Sequence, residues 1–175
     1  MGVDDGYLFF WKVGDTNGYL SQWFISPFVA EGMNFTTAEQ YMMYKKAEFF
    51  SDHEMMHQIA TTPDLGPWDH KRMGKRVRGF NAEAWNKENV RIIAGVNWCK
   101  FMQNGYLRFK LMNTGEKTLV EASPVDRVWG IGFDSATALA NRHLWGDNRL
   151  GTSLMMVRSK IKEMVALSGR ADVRL

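Results

Sequence analysis

The sequence predicts an α+β domain that is mostly helical and carries a few short strands. Apolar residues recur at helical spacing in several segments after residue 36, and short aromatic or β-branched runs predict the strands. Strands and helices do not alternate regularly, which argues against a doubly wound sheet. The length of 175 residues is that of one domain, so we expect a single unit over residues 1–175.

The N-terminal quarter predicts two strands and a turn. Residues 7–12 are a short aromatic run typical of a strand, residues 14–18 are a turn cluster, and residues 19–24 predict a second strand. Pro27 and Gly32 interrupt the segment between this strand and the first helix.

The middle of the chain predicts helices. Thr36 begins the first, and Glu39 stands three residues on, as in a capping box. Asn81 is the expected cap of the longest helix, and the Pro63 region separates earlier ones. The expected helical segments are residues 36–49, 52–60, 68–75, 81–101 and 106–112.

Two glycine-containing loops and two helices complete the expectation. Residues 118–121 predict a strand that leads into a loop, and residues 128–131 are expected to pair beside it. Ser135 is the expected cap of a helix to residue 144, and a last helix covers residues 151–165.

Charge and cysteine content indicate the cellular compartment and the kind of ligand. The formal net charge is +3, a mild excess that suits anionic ligands without requiring nucleic acid. The single cysteine, Cys99, excludes a disulfide scaffold, favours a reducing compartment, and is expected to be a buried, inert thiol. With no signal-peptide pattern or membrane-length apolar run, we expect a cytoplasmic protein without a membrane partner.

Two clusters leave alternatives open. Basic residues are concentrated at Lys71, Arg72, Lys75, Arg76 and Arg78, either as a solvated helix end or as a contact for phosphate or nucleic acid. His53 and His57 lie four residues apart, a spacing that can bind a metal, but two surface histidines are the simpler interpretation.

Several common chemistries have no motif here. The chain has no P-loop, no dinucleotide-binding glycine fingerprint after a strand and no nucleophile elbow. We therefore expect neither a metal nor a cofactor.

The densest chemical signal lies in residues 121–132 and 145–151. The first segment holds carboxylate, guanidinium and indole side chains between Pro124 and two glycines. The second again mixes glycine, amide, guanidinium and indole groups before a helix. Two such segments close together predict two walls of a ligand pocket.

The residue types suit cleavage of a ribose–nitrogen bond. Departure of the base leaves positive charge on the sugar, which a carboxylate such as Glu39 stabilises while it orients water. An aromatic side chain such as Trp129 can stack on the base, while Asn148 and either Arg127 or Arg149 hold hydroxyl and phosphate groups. Each residue also has a structural alternative, since glutamate, aspartate and asparagine serve as caps or turn residues and tryptophan is often core.

The chain resembles the NADAR family, also called YbiA-like, over almost its whole length. The matching stretches are Phe9-Phe-Trp11, Gly18-Tyr-Leu-Ser-Gln-Trp23, Thr37-Ala-Glu-Gln-Tyr-Met-Met43, Lys46-Ala47, Gly74-Lys-Arg-Val77, Phe80, Trp85, Lys100-Phe101, Gln103-Asn104, Leu119-Val-Glu-Ala-Ser-Pro-Val-Asp-Arg-Val-Trp-Gly-Ile-Gly132, Trp145-Gly-Asp-Asn-Arg-Leu-Gly151, Leu154-Met155 and Val157-Arg158.

The resemblance implies a YbiA-like α+β fold and N-glycosidase activity. Members act on phosphorylated riboflavin-pathway intermediates or on ADP-ribose attached to guanine, so the expected partner is a phosphorylated riboside or an ADP-ribose derivative. The family's key glutamate falls on Glu39, and its loop aspartate on Asp126, as expected catalytic residues. The expected substrate-binding residues are Trp129, Asn148, Arg127, Lys46, Tyr41, Trp23, Trp85 and Gly151.

One departure and two alternatives accompany this interpretation. Gln40 stands where histidine often follows the glutamate in the family, which would weaken the mechanism if that histidine tunes the carboxylate. A module that binds ADP-ribose or a nucleotide without cleaving it is one alternative. The other is a hydrolase that removes ADP-ribose from guanine in nucleic acid, with Lys71 to Arg78 contacting phosphates.

Overall fold

Four strands and six α-helices form the part of the chain that the computed structural model describes, residues 6–171. The strands are β1 (Tyr7–Phe10), β2 (Ile25–Ala30), β3 (Met33–Thr37) and β4 (Thr118–Glu121). The helices are α1 (Ala38–Phe49), α2 (His53–Ala60), α3 (Pro67–Gly74), α4 (Ala82–Gln103), α5 (Gly105–Met112) and α6 (Arg149–Ala171). This confirms the mostly helical α+β class.

The first sheet pairs a strand near the N-terminus with a strand from the second half of the chain. β1 and β4 run parallel, with Tyr7 opposite Thr118 and Phe10 opposite Glu121. Because the carboxyl ends of parallel strands meet at one edge, Phe10 at the end of β1 and Glu121 at the end of β4 lie side by side, and Trp11 follows at the same edge. The expected strand at residues 128–131 does not form, although the Ile131 amide still donates to the Glu121 carbonyl at 3.0 Å.

The second sheet is an antiparallel hairpin that the sequence patterns do not predict. β2 and β3 are joined at Glu31 and Gly32, both with positive φ, as in a two-residue hairpin turn. The strand expected at residues 19–24 is wrong, since a 3-10 helix occupies Gly18–Leu20. Pro27 argued against a strand in this segment, because proline is tolerated only in edge strands. Both strands of a two-stranded sheet are edge strands, so β2 can contain Pro27.

Helix α1 runs through the centre of the core. Every residue from Ala38 to Tyr44 is buried, and α1 contacts α2, α3, α4 and β3. A helix buried on all sides carries little amphipathic signal, so only its cap marks its start. That cap is Thr37, whose hydroxyl accepts a hydrogen bond from the Gln40 amide at 3.2 Å, rather than the expected Thr36.

The C-terminal elements differ from expectation in two places. A 3-10 helix at Leu139–Leu144 stands where an α-helix capped by Ser135 was expected. Asp134 serves as the local turn acceptor instead, with its Oδ1 atom 2.9 Å from the Thr137 amide. Helix α6 begins two residues before the expected start, at Arg149.

Two further expectations concern the interior and the membrane. Cys99 is half-buried in α4 rather than fully buried, and burial raises the pKa of its thiol. Among residues 6–171, none of the helices combines the length and the apolar character needed to cross a bilayer.

Candidate active site

A cavity of about 540 Å³ lies where α1, α3 and the loop after β4 meet. The chain therefore brings together segments more than 80 residues apart in sequence to form its walls. Six of the expected site residues line it: Trp23, Glu39, Lys46, Trp85, Asp126 and Trp129. A volume of this size suits a nucleotide-sized ligand.

Glu39 is held at the cavity floor by the first turn of α1. Its amide donates to the Gln22 carbonyl at 2.9 Å, which ties the helix start to the segment after the first 3-10 helix. Only 5% of the residue is exposed. Thr37 already caps the helix, so the Glu39 side chain is not needed as a cap.

Burial governs the protonation of Glu39. Desolvation raises the pKa of its carboxyl to about 7, and the negative charge of Asp126 acts in the same direction. The positive charge of Lys71, a hydrogen bond from the Trp23 side chain and the charge of Lys46 act in the opposite direction. A carboxyl that titrates near neutral pH can exchange protons during a reaction.

Asp126 and Trp129 form the facing wall. The Asp126 Oδ1 atom accepts hydrogen bonds from the amides of Val128 at 2.9 Å and Trp129 at 2.8 Å. Asp126 therefore forms the turn that its structural interpretation expects, and it also lines the cavity. The turn fixes the backbone from which the Trp129 indole extends.

A third carboxyl group, that of Glu121, also faces the cavity and was not among the expected site residues. Its Oε2 atom is buried and has no hydrogen-bond partner among the described residues. Desolvation raises the pKa of Glu121 to about 8, the charges of Asp126 and Glu39 act in the same direction, and Lys71 opposes them. Its place where the predicted strand 118–121 ends and the segment 121–132 begins was the available sequence signal.

Lysines and exposed aromatics surround the cavity. Lys12, Lys71 and Lys75 line it together with Trp11 and Trp68. Trp68 is 55% exposed and packs edge-to-face on Trp23 with ring centroids 6.1 Å apart. The Lys71 ammonium lies 5.9 Å from the Trp23 ring centroid. Positive charge beside flat aromatic surface suits a ligand that combines phosphate with a planar base.

The Lys46 side chain lines the cavity, and its ammonium group already makes one hydrogen bond within the protein. Its Nζ atom donates to the Gly74 carbonyl at 2.9 Å and lies 4.1 Å from the Phe80 ring centroid. Burial lowers the pKa of Lys46, and the charge of Glu39 opposes that shift. An ammonium has three donors, so others remain for a ligand.

Two buried polar residues support the same region and were not expected there. Gln22 lines the cavity, and its Oε1 atom is buried without a hydrogen-bond partner among residues 6–171. Lys100 is fully buried and donates to the Ser21 carbonyl at 2.8 Å. Burial lowers the pKa of Lys100 to about 7. Lys100 thus anchors the segment that carries Gln22 and Trp23.

Tyr41 and Arg127, both expected to bind substrate, lie outside the cavity lining. The Tyr41 hydroxyl donates to the Glu31 Oε1 atom at 3.0 Å, on the hairpin side of α1. Arg127 donates to the Leu144 carbonyl at 2.7 Å and braces the loop from its outer side.

Asn148 and Gly151 also lie outside the lining, where they join α6 to β4. Asn148 adopts φ 50°, donates to the Leu119 carbonyl at 2.8 Å and accepts from the Glu121 amide at 3.0 Å. A Cβ atom on Gly151 would stand 2.1 Å from the Leu119 carbonyl oxygen, so only glycine permits this close approach. Both residues hold the strand that ends at Glu121.

The Gln40 side chain makes hydrogen bonds to backbone groups away from the Glu39 carboxyl. It is fully buried, accepts from the Thr36 amide at 2.9 Å and donates to the Ile59 carbonyl at 2.9 Å. Its amide therefore links β3 to α2, and it is not part of the cavity lining.

The histidine and basic clusters also have defined positions. His53 and His57 are exposed on α2, and no group of three or more metal-ligating side chains is suitably arranged within residues 6–171. The basic cluster divides: Lys71 and Lys75 line the cavity, whereas Arg78 pairs with Asp52 and Glu54, and Arg72 with Asp69.

Residues 9–162 match the NADAR domain, a span that holds every cavity-lining residue named above. The chain belongs to the NADAR family. This NADAR protein is 37% identical over 166 residues to N-glycosidase R617 of Acanthamoeba polyphaga mimivirus, an alignment that covers 89% of this chain and 96% of the relative.

Two other relatives extend the comparison. The NADAR protein is 25% identical to riboflavin biosynthesis protein VVA0006 of Vibrio vulnificus, covering 89% of this chain and 39% of that protein. The NMR structure of the E. coli protein YbiA superposes with a TM-score of 0.75 at 26% identity, covering 94% of this chain and 90% of YbiA. The fold is thus YbiA-like, and N-glycosidase homologues align across most of the chain.

Proposed function

We propose that this protein hydrolyses the N-glycosidic bond between ribose and a base in a phosphorylated riboside. The substrate is a riboflavin-pathway intermediate or an ADP-ribosyl compound. The observation that carries the proposal is the single cavity in which Glu39 and Asp126 share walls with Trp129 and several lysines. N-glycosidase and riboflavin biosynthesis relatives support the reaction and the substrate class.

Glu39 is the central catalytic residue of the proposal. Its carboxylate stabilises the positive charge that develops at C1′ as the base departs, and it orients the attacking water. The low solvent exposure of the cavity floor strengthens that electrostatic effect. Asp126 positions the water or the ribose hydroxyls from the opposite wall.

The remaining walls bind the two ends of the substrate. Trp129 stacks on the base or sugar, with Trp23 and Trp85 as further apolar walls. Lys46 and Lys71 supply positive charge for a phosphate. Because Asn148 and Arg127 bond to the protein backbone, we assign them to loop structure and leave substrate binding to the lining residues.

The test is release of free base, measured by chromatography. The wild type is incubated separately with ribosylated pyrimidine phosphates and with ADP-ribosylated guanosine. We expect release from at least one of these substrate classes, and loss of release in Glu39→Gln with substrate binding retained. Glu83→Gln, an exposed change on α4, is the matched control and should behave as wild type. Binding of the ligands without release by the wild type would contradict hydrolysis and favour a binding module.

A second candidate is removal of ADP-ribose from guanine in nucleic acid. The observation that favours it is that Lys71 and Lys75, two members of the basic cluster, lie at the cavity beside the exposed Trp68. A flanking nucleic-acid strand needs positive charge and an aromatic surface of this kind. Binding to ADP-ribosylated DNA that weakens steeply with salt supports this candidate, whereas release from free ribosides only would exclude it.

A further inference from the structure

We infer that Glu121 is a further catalytic residue, the general acid that protonates the leaving nitrogen of the base. The inference deepens the proposed N-glycosidase function and rests on it. Glu121 lies at the cavity edge of the parallel sheet, where β4 ends.

The backbone of Glu121 is held on both sides. Its amide donates to the Asn148 Oδ1 atom at 3.0 Å, and its carbonyl accepts from the Ile131 amide at 3.0 Å. Gly130 packs so closely that a Cβ atom there would stand 2.7 Å from the Glu121 carbonyl oxygen. The strand end therefore cannot shift without breaking these contacts, which fixes the point from which the side chain enters the cavity.

One oxygen of the Glu121 carboxyl group lacks a hydrogen-bond donor among residues 6–171. The buried Oε2 atom has no hydrogen-bond partner in the described part of the chain. An ionised carboxylate in that position would leave buried negative charge unsatisfied, which is costly. A protonated carboxyl instead carries an O–H donor for which a substrate nitrogen in the cavity is the missing acceptor.

The charges around Glu121 support the protonated form. Burial raises its pKa to about 8, and the facing Asp126 and Glu39 carboxyls act in the same direction, while the Lys71 ammonium opposes them. Burial also raises the pKa of Glu39, to about 7. A pair of carboxyl groups in one cavity, one serving as the acid and the other as the base, is the arrangement that glycoside hydrolysis uses.

The proton balance of the reaction is then complete. The C1′–N bond breaks with its electron pair going to nitrogen, which takes the proton of Glu121. Water forms the new C1′–O bond and gives a proton to the Glu39 carboxylate. Glu39 releases that proton to solvent and Glu121 regains one from solvent, so that only the riboside and one water are consumed.

A general acid matters only when the leaving nitrogen needs a proton. Amino-linked and amide-type bases leave poorly as anions, so they depend on the acid. A pyridinium base such as nicotinamide departs as a neutral molecule and needs none. The substrate class favoured by this geometry is therefore a riboside phosphate with an uncharged, nitrogen-linked base.

The experiment compares Glu121→Gln with Glu39→Gln on two substrates. One is an amino-linked pyrimidine riboside phosphate, and the other is nicotinamide mononucleotide. We expect Glu121→Gln to lower kcat at least ~100-fold on the pyrimidine riboside and less than about 3-fold on nicotinamide mononucleotide. Glu39→Gln should lose both activities, because the sugar cation forms with either base. Glu83→Gln is the surface control.

A pH profile and a second variant complete the experiment. The wild-type pH profile on the pyrimidine riboside should fall on its alkaline side near pH 8, and Glu121→Gln should lack that fall. This profile decides the question if the wild type does not cleave nicotinamide mononucleotide. If Glu121→Gln does not fold, Glu121→Ala replaces it in the same comparison of the two substrates.

Failure of the inference is distinguishable from failure of the proposed function. Equal losses on both substrates or an unchanged alkaline limb would overturn the role of Glu121 while the enzyme remains an N-glycosidase. A wild type that releases no base from any riboside overturns the proposed function, and this inference with it.

Discussion

Two buried acidic regions of the molecule differ in how their carboxyl groups are satisfied. At the start of α2, Asp52 accepts from the amides of Met55 and Arg78, and from the Arg78 guanidinium at 2.7 Å. These bonds hold its pKa down at about 2. In the cavity, Glu39 is buried and Glu121 is half-buried with a buried Oε2 atom. Both have few donors, and burial raises their pKa values to about 7 and 8.

The difference separates a structural carboxylate from chemically usable ones. Asp52 is charged at every physiological pH, and its donors connect α2 to the segment after α3. Burial raises the pKa values of the cavity carboxyls towards neutrality, because the fold supplies few donors that would hold them ionised. An isolated polar group of this kind costs folding free energy, so its presence in the fold points to function.

The largest expected effect comes from neutralising the cavity. Glu39→Gln should lower kcat for base release by about 10³-fold, within the usual range for a group that stabilises charge and directs a proton. Substrate affinity should change less than about threefold, because the loss falls on the transition state. Steady-state kinetics together with calorimetric binding measure the two quantities. A kcat close to that of the wild type would refute the assigned role.

Removing the structural carboxylate, Asp52 at the start of α2, should lower stability and leave catalysis unchanged. Asp52→Ala removes the α2 cap and leaves Arg78 without its main partner, so we expect a loss of about 2 kcal/mol or more in the free energy of unfolding. Urea unfolding at pH 7 measures it. The folded variant should keep kcat unchanged, because Asp52 is outside the cavity lining. A stability equal to wild type contradicts the role of Asp52 as a cap.

The pH dependence of stability should sharpen the comparison. A raised carboxyl pKa means that the folded state binds more protons than the unfolded state between about pH 4.5 and 8, so the two glutamates lower stability as pH rises through that window. Asp52 acts oppositely, since its stabilisation is lost as pH falls below 3.8 towards 2.

Glu39→Gln therefore should be more stable than wild type at pH 8, by about 1–3 kcal/mol at roughly 1.4 kcal/mol per pKa unit. The gain should disappear at pH 4.5, the ordinary pKa of a glutamate. Thermal or urea unfolding across this range measures the slope, with Glu83→Gln as the unchanged surface control. A gain that is the same at both pH values would contradict the raised pKa.

The smallest effect concerns a residue that the sequence assigned to substrate binding. Tyr41→Phe removes the hydroxyl that donates to Glu31, so we expect a loss of about 1 kcal/mol in stability. Because Tyr41 does not line the cavity, KM should stay close to that of the wild type. A several-fold rise in KM would restore its predicted role in binding.

Local signals account for the parts of the fold that the sequence predicted correctly. Asn81 caps α4 as expected, and the Ala84 amide donates to its Oδ1 atom at 2.9 Å. The hairpin escaped prediction because Pro27 opposed a strand and its Glu31-Gly32 turn is an unusual pair for positive φ. No local pattern reveals that pairing, since it depends on packing against α1 and α4.

The site divides in a similar way. Glu39, Asp126 and Trp129 were predicted as site residues because the family resemblance and the chemistry of a sugar cation both point to them, and all three line the cavity. Asn148 and Gly151 belong to the same motif, yet the structure uses them to attach α6 to β4. Glu121 was not among the predicted site residues, because the unpaired oxygen that draws attention to it depends on tertiary packing.

The most direct test of the central claim is a carboxyl titration by ¹³C NMR. With the glutamate δ-carbons labelled, we predict two resonances that titrate near pH 7 and 8, with one lost in Glu39→Gln and the other in Glu121→Gln. In Glu39→Gln the Glu121 resonance should shift to lower pKa, because the negative charge of Glu39 raises the pKa of Glu121 in the wild type. If every glutamate of the folded wild type instead titrates near the ordinary value of 4.5, the cavity does not hold protons and the catalytic roles assigned to both glutamates are wrong.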